Sequence, residues 1–282
     1  MPAFALRIAF VSLLVLAAGG AALAASKRVV SMNACTDQMA MLIAGEGQLH
    51  SVSYLASDPG TSVLAAEAGR YAVNHGLAEE VFLMRPDLVL AGSYSTRATV
   101  ELLRRLGVHV EEFEPENSFD DVRANLARMG EILDRRERAE ALIADLDRRL
   151  ASLDAGRRPD IAVATYYANS YTSGSGTLVD AIIAASGLTN MAAELGLSGT
   201  ARLPLELLVM ARPDLLVTDG ARYDAPALAE QNLAHPAYRA LAARTASVAV
   251  PAPYTLCGAP FTAEAARILQ RGASEIDGEA GR

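Results

Sequence analysis

Cysteine occurs twice in this 282-residue chain, at Cys35 and Cys257, and tyrosine nine times. Two chemistries are open to the sulfurs. In an oxidising compartment they join as a disulfide, provided their Cα atoms come within about 7 Å. Reduced, they are two thiols able to contact a ligand or its metal. Seven tyrosines, Tyr54, Tyr94, Tyr166, Tyr167, Tyr171, Tyr223 and Tyr254, fall at or just past the end of an expected strand, and the chain has no Trp. A phenol offers a flat apolar face and a hydroxyl. Such a lining suits a planar guest: a catechol chelate, a porphyrin or a corrin. The four histidines, His50, His75, His109 and His235, show no metal-ligand spacing. Gly174-Ser175-Gly176 is neither a nucleophile elbow nor a phosphate loop, since G-x-S-x-G and a Gly-Lys-Ser/Thr ending are both absent. It reads as a helix-entry turn that lets the backbone approach a ligand cleft. A thiol enzyme using Cys35 or Cys257 with a His is the one catalytic alternative; otherwise the chain reads as a binder, not an enzyme.

The elements that must position these residues alternate. Met1–Arg7, the apolar run Ile8–Leu16 and Ala22-Leu23-Ala24 have the order of a cleavable signal peptide, expected over residues 1–24. The apolar run is shorter than the 20 or so residues that span a bilayer; an uncleaved anchor is the alternative. No Cys sits at the cleavage site, so no lipid anchor is expected there. The product would be periplasmic, which favours the disulfide. Fifty-one per cent of residues are hydrophobic and the formal charge is −8. An acidic chain without basic runs has no footprint for nucleic acid or an anionic membrane.

Strands are expected at 28–32, 50–54, 87–91 and 108–113, then at 160–165, 214–218 and 245–250. Helices are expected between them at 38–44, 97–106, 177–186, 204–211 and 262–272. Residues 118–153 differ: Ser-Phe-Asp-Asp caps a stretch with apolar side chains at helical spacing, from Val122 to Leu150. One long helix there, a rod of roughly 50 Å, would be a spine between lobes. An interruption near Asp134 and Arg135 would make it two. The fold class is therefore α/β: two Rossmann-like lobes with mostly parallel sheets, 25–117 and 154–282, joined by a single long helix over 118–153.

A repeat supports two lobes. AEEVFLMRPDLVLAG (78–92) and LELLVMARPDLLVTD (205–219) match at Glu79/Glu206, Arg85/Arg212, Pro86/Pro213 and Asp87/Asp214. In each, a short helix stops before Pro, Arg-Pro-Asp turns the chain, and a buried strand follows.

The order of these pieces, with RVVSMNACTDQM, EEVFLMRPDLVLAG, YTSGSGTLVDAIIAASGLTNM and the second RPDLL, resembles the helical-hinge (class III) periplasmic substrate-binding proteins of ABC importers for iron–siderophores, haem and cobalamin. The resemblance implies capture of a metal chelate between the lobes and delivery to a permease dimer. It puts permease docking on Glu79 and Glu206, and a ligand-facing aromatic at Tyr171. It adds the last loop, with Tyr254 and Cys257, to the ligand contacts expected of Cys35, Tyr54, Tyr94, Tyr166, Tyr171 and Tyr223. Haem-binding relatives place an axial Tyr near Tyr71, with His75 beside it, so haem is the alternative ligand. No intrinsic cofactor, direct metal ligand or oligomer is expected.

Overall fold

The computed structural model describes residues 27–153, 158–218 and 228–280. The expected signal peptide and Tyr223 lie outside the described residues. The first lobe runs β1 (Val29–Ser31), α1 (Ala34–Ile43), β2 (Leu49–Ser53), α2 (Ala65–Ala68), β3 (Ala72–Asn74), α3 (Ala78–Leu83), β4 (Leu88–Gly92), α4 (Arg97–Arg105) and β5 (Val110–Phe113). Two helices follow, α5 (Phe119–Ile132) and α6 (Arg136–Ala151). The second lobe runs β6 (Ala162–Thr165), β7 (Tyr171–Ser173), α7 (Leu178–Ala185), β8 (Thr189–Asn190), α8 (Met191–Glu194), β9 (Thr200–Arg202), α9 (Leu205–Ala211) and β10 (Leu215–Thr218). It ends with α10 (Gln231–Ala234), α11 (Pro236–Ala242), β11 (Ala246–Ala249), α12 (Pro253–Leu256) and α13 (Ala263–Ala280).

Each lobe has its own parallel sheet. The first is ordered β3-β2-β1-β4-β5 and the second β11-β10-β6-β8. Strand side chains alternate between faces, and both faces here are apolar. Val29, Leu88 and Leu90 join one core, while Val30, Val89, Val100 and Leu103 form another on the opposite face. In the second lobe Val163 and Leu215 face one way, and Ala164 and Leu216 the other. Burial on both faces is what crossover helices impose on a parallel sheet. An antiparallel ribbon, β7–β9, stands apart from the second sheet. Neither that ribbon nor the short strands β3 and β8 is among the strands expected from sequence. Each is only two or three residues long, too short to show a period.

The single spine helix is corrected. α5 and α6 pack on each other as a helical hairpin. Gly130 lies so close to α6 that an added Cβ would sit 2.4 Å from Ala139 Cβ. α5 ends in a Schellman turn: Arg135 N donates to Gly130 O (2.7 Å), and Asp134 N to Glu131 O (3.2 Å). Asp134 takes the left-handed conformation (φ 54°) that this turn requires. The link between lobes is thus α6 alone, 16 residues or about 24 Å. Near its start, Arg138 Nε donates to Leu42 O (2.8 Å), in the last turn of α1. Its body packs on α13 and the turn at 260–262. Leu126, Met129, Leu142 and Leu146 carry one continuous core from lobe to lobe. Among the described residues no helix is long and apolar enough to cross a membrane.

Candidate ligand cleft

The C-terminal edges of the two sheets meet, and the cysteines mark the seam. Asn33 caps α1 by accepting from Cys35 N (2.9 Å), which sets Cys35 on the first turn beyond β1. Cys257 follows α12, beyond the end of β11. The two sulfurs form a disulfide with Cα atoms 5.0 Å apart, closing a span of 222 residues. The bond staples one lobe to the other. It leaves no free thiol, since the chain has only two cysteines, and the thiol-enzyme alternative loses its nucleophile.

Two cavities flank this seam. The larger, about 430 Å³, lies beyond the ends of β6, β10 and β11, where Thr165, Thr218 and Val250 line it; Thr177, Tyr167 and Asn117 are among its other polar side chains. Thr177 is fixed there because its hydroxyl caps α7, accepting from Asp180 N (3.1 Å). The smaller, about 220 Å³, lies on the first lobe among Asn33, Cys35, Ser93, Tyr94 and Phe113. Glu116 and Leu256 line both. Ligands of parallel α/β sheets bind at this edge.

Glu116 is the buried charged side chain of the cleft, 6% exposed, on the connection from β5 to α5. Asn125 Nδ2 donates to its Oε1 (2.7 Å) and Gly258 N to its Oε2 (3.2 Å). Burial pushes its carboxyl above the usual carboxylate range, against the pull of these hydrogen bonds. Gly258 has no room for a side chain: a Cβ there would meet Val122 Cγ2 at 2.5 Å and Glu116 Cγ at 2.7 Å. Sequence reading missed Glu116. Its only local signal is a position between a strand end and the Ser118 helix cap, which many surface carboxylates share.

The tyrosines do not converge as one set. Tyr94, 86% exposed, borders the smaller cavity, and Tyr167 lines the larger. Tyr54 is exposed and stacks on His75 with ring centroids 5.6 Å apart. Tyr166 is buried, stacks on Tyr238 at 5.5 Å and donates to Ser170 Oγ (2.9 Å). Tyr171 lies under the Arg202 guanidinium, 5.5 Å away. Tyr254 packs edge-on to Phe261. Tyr71 is half-buried against the main core, and His75 is held by Glu80 through its backbone N (2.7 Å) and Nδ1 (3.2 Å).

The repeated unit is preserved to the hydrogen bond. Arg85 and Arg212 both end their helices in the left-handed conformation, φ 51° and 50°. Asp87 Oδ2 accepts from Arg28 N, and Asp214 Oδ2 from Ala162 N, each at 2.8 Å. Glu79 and Glu206 occupy the first turns of α3 and α9, both exposed.

A family model described as periplasmic binding protein matches residues 29–248. The chain belongs to that family, and its fold is that of the class III members. Over 159 residues it is 34% identical to a cobalamin-binding protein of Halobacterium salinarum, covering 54% of this chain and 43% of that one. The matched segment thus spans less than half the length of that relative. Among solved structures, the periplasmic haem-binding protein RhuT of Roseiflexus sp. RS-1 has a TM-score of 0.70 at 21% identity, over 89% of this chain and 99% of that one. The vitamin B12-binding protein BtuF of Vibrio cholerae has a TM-score of 0.65 at 16% identity, over 89% and 98%.

Proposed function

We propose that this chain is a periplasmic carrier that captures a metal chelate between its lobes and hands it to an ABC permease. The observation that carries the reading is the cavity of about 430 Å³ at the meeting sheet edges, in a chain of this family. The cobalamin-binding relative favours a corrinoid, with iron–siderophores as the next class. Haem is the second reading, favoured by the likeness to RhuT. Glu79 and Glu206 are proposed as the permease contacts, because the repeat presents one exposed carboxylate at the same place on each lobe. Two equivalent anionic points suit two basic sites on a two-fold partner.

Ligand-induced thermal stabilisation tests the capture. A true ligand raises the melting temperature in proportion to the logarithm of its excess over Kd. Cobalamin, ferric hydroxamates, ferric catecholates and haem are the panel, and no shift with any of them overturns the reading. Uptake tests the docking: Glu79→Ala with Glu206→Ala should leave ligand affinity intact and abolish transport. Lost affinity in the isolated double variant would put these carboxylates in the cleft instead.

A further inference from the structure

The charge of the two cavities narrows the ligand. Both are lined by hydroxyls, amides and apolar side chains, and the charged residues of their walls are Glu114 and Glu116. Among the described residues no Lys, Arg or His lines either cavity. The arginines of α5 near this connection are committed elsewhere: Arg123 to Asp120 (2.7 Å) and Asp147 (2.8 Å), and Arg128 to Glu111 (2.7 Å). Glu116 therefore has neutral donors as its partners, an amide nitrogen on each oxygen.

In its ionised form, a buried carboxylate held by neutral donors puts negative potential into the cavities it lines. Low polarisability strengthens that potential, and the counter-ions that would screen it in open water are excluded. An anionic guest entering here loses its hydration and meets like charge. A neutral guest with amide or hydroxyl donors loses less, and a cationic guest restores the ion pairing Glu116 lacks.

We infer that the cleft sorts chelates by charge, accepting neutral or cationic ones and rejecting anionic ones, with Glu116 as the residue that sets the sign. The inference rests on the proposed reading of the cleft as the ligand site, and it names the substrate class within that reading. It places amide-rich corrinoids and cationic or neutral hydroxamate chelates inside the class. It places catecholate chelates with several negative charges, and porphyrins bearing free carboxylates, outside it.

Two charge series test this by calorimetry, the neutral and anionic members of each sharing one scaffold. One is cobinamide (cationic), cyanocobalamin (neutral) and a cobalamin with one side-chain amide hydrolysed to carboxylate. The other is ferrioxamine B with its amine free, acetylated or succinylated. In whichever series binds, affinity should fall at least tenfold from the neutral to the anionic member. Glu116→Gln should reduce that gap to under threefold, and Glu116→Asp, which keeps the charge, should retain it. An anionic member that binds the wild type as tightly as the neutral one overturns the inference while leaving the carrier reading standing. So does a gap unchanged in Glu116→Gln. Failure of both series and of haem to bind overturns both. The wild-type series decides the sign even if a Glu116 variant fails to fold.

Discussion

In the first lobe Asp87 accepts from the Arg28 amide, and in the second Asp214 accepts from the Ala162 amide, at the same 2.8 Å. Behind these matched clamps the lobes part. The first buries a carboxylate under its cleft edge: Asp37, fully buried, accepts from Ser53 N (3.1 Å) and Ser53 Oγ (2.5 Å) with Oδ2. In the second lobe Thr165 and Thr172 pair their hydroxyls (3.0 Å), and Asn190 Nδ2 donates both to Ser173 O and to Oδ1 of the half-buried Asp180 (each 3.0 Å). The larger cavity also belongs to the second lobe, apart from Glu116 and Asn117. The outer units are thus alike and the inner edges are not. A two-fold partner would demand the first property and an asymmetric ligand the second, as the proposed function requires.

The largest test removes the staple between the lobes. Replacing both cysteines with Ser should lower unfolding stability by about 5 kcal/mol on the chain-entropy model for a closed loop of 222 residues. Urea unfolding would measure it. A loss below about 1 kcal/mol would mean the shared core alone couples the lobes.

The next test separates the two polar layers. Burial raises the Asp37 carboxyl from 3.8 to about 6, against hydrogen bonds from Ser31 and Ser53 that lower it. Its folded-state value is raised, so the neutral acid favours the folded chain. That stability is fully present below about pH 3.8 and is lost as pH rises through 6, a swing of up to about 3 kcal/mol. Asp37→Asn should flatten the stability profile across this window. An unchanged profile would show that the carboxyl titrates normally.

Smaller effects probe the repeat itself. Asp87→Ala and Asp214→Ala should each cost about 1–2 kcal/mol, since each leaves a strand-edge amide without its charged acceptor. Unfolding free energies from denaturant titration that differ between the two by more than about 1 kcal/mol would break the equivalence of the units. The smallest effect is expected at Glu79→Ala and Glu206→Ala. Both side chains are exposed, and calorimetric stability should stay within about 0.5 kcal/mol of wild type.

The repeat was legible because it is local. Pro after a short helix, Asp at the turn and an apolar strand leave their marks within fifteen residues, and the structure repeats them to the left-handed arginine. The Ser118 cap was legible for the same reason: its hydroxyl accepts from Asp121 N, three residues on (3.1 Å). The break at Asp134 was legible only as an alternative to one long helix, because the usual mark of a Schellman turn is Gly and here an Asp takes that conformation. The tyrosines show a different limit. A position after a strand does not say what a ring packs against: Tyr166 stacks on Tyr238, and Tyr171 lies under Arg202.

What the chain determines by itself is its period and its chemistry: two α/β lobes, one duplicated unit and a single pair of sulfurs. Apolar spacing and turn residues act over a few positions and need no distant partner. What only the folded chain decides is which surfaces meet. Glu116 reaches Gly258 across 142 residues, and Cys35 reaches Cys257 across 222. Such contacts depend on the packing of α6 and the shared core, and no local pattern encodes the wall of a cleft built from both ends of the sequence.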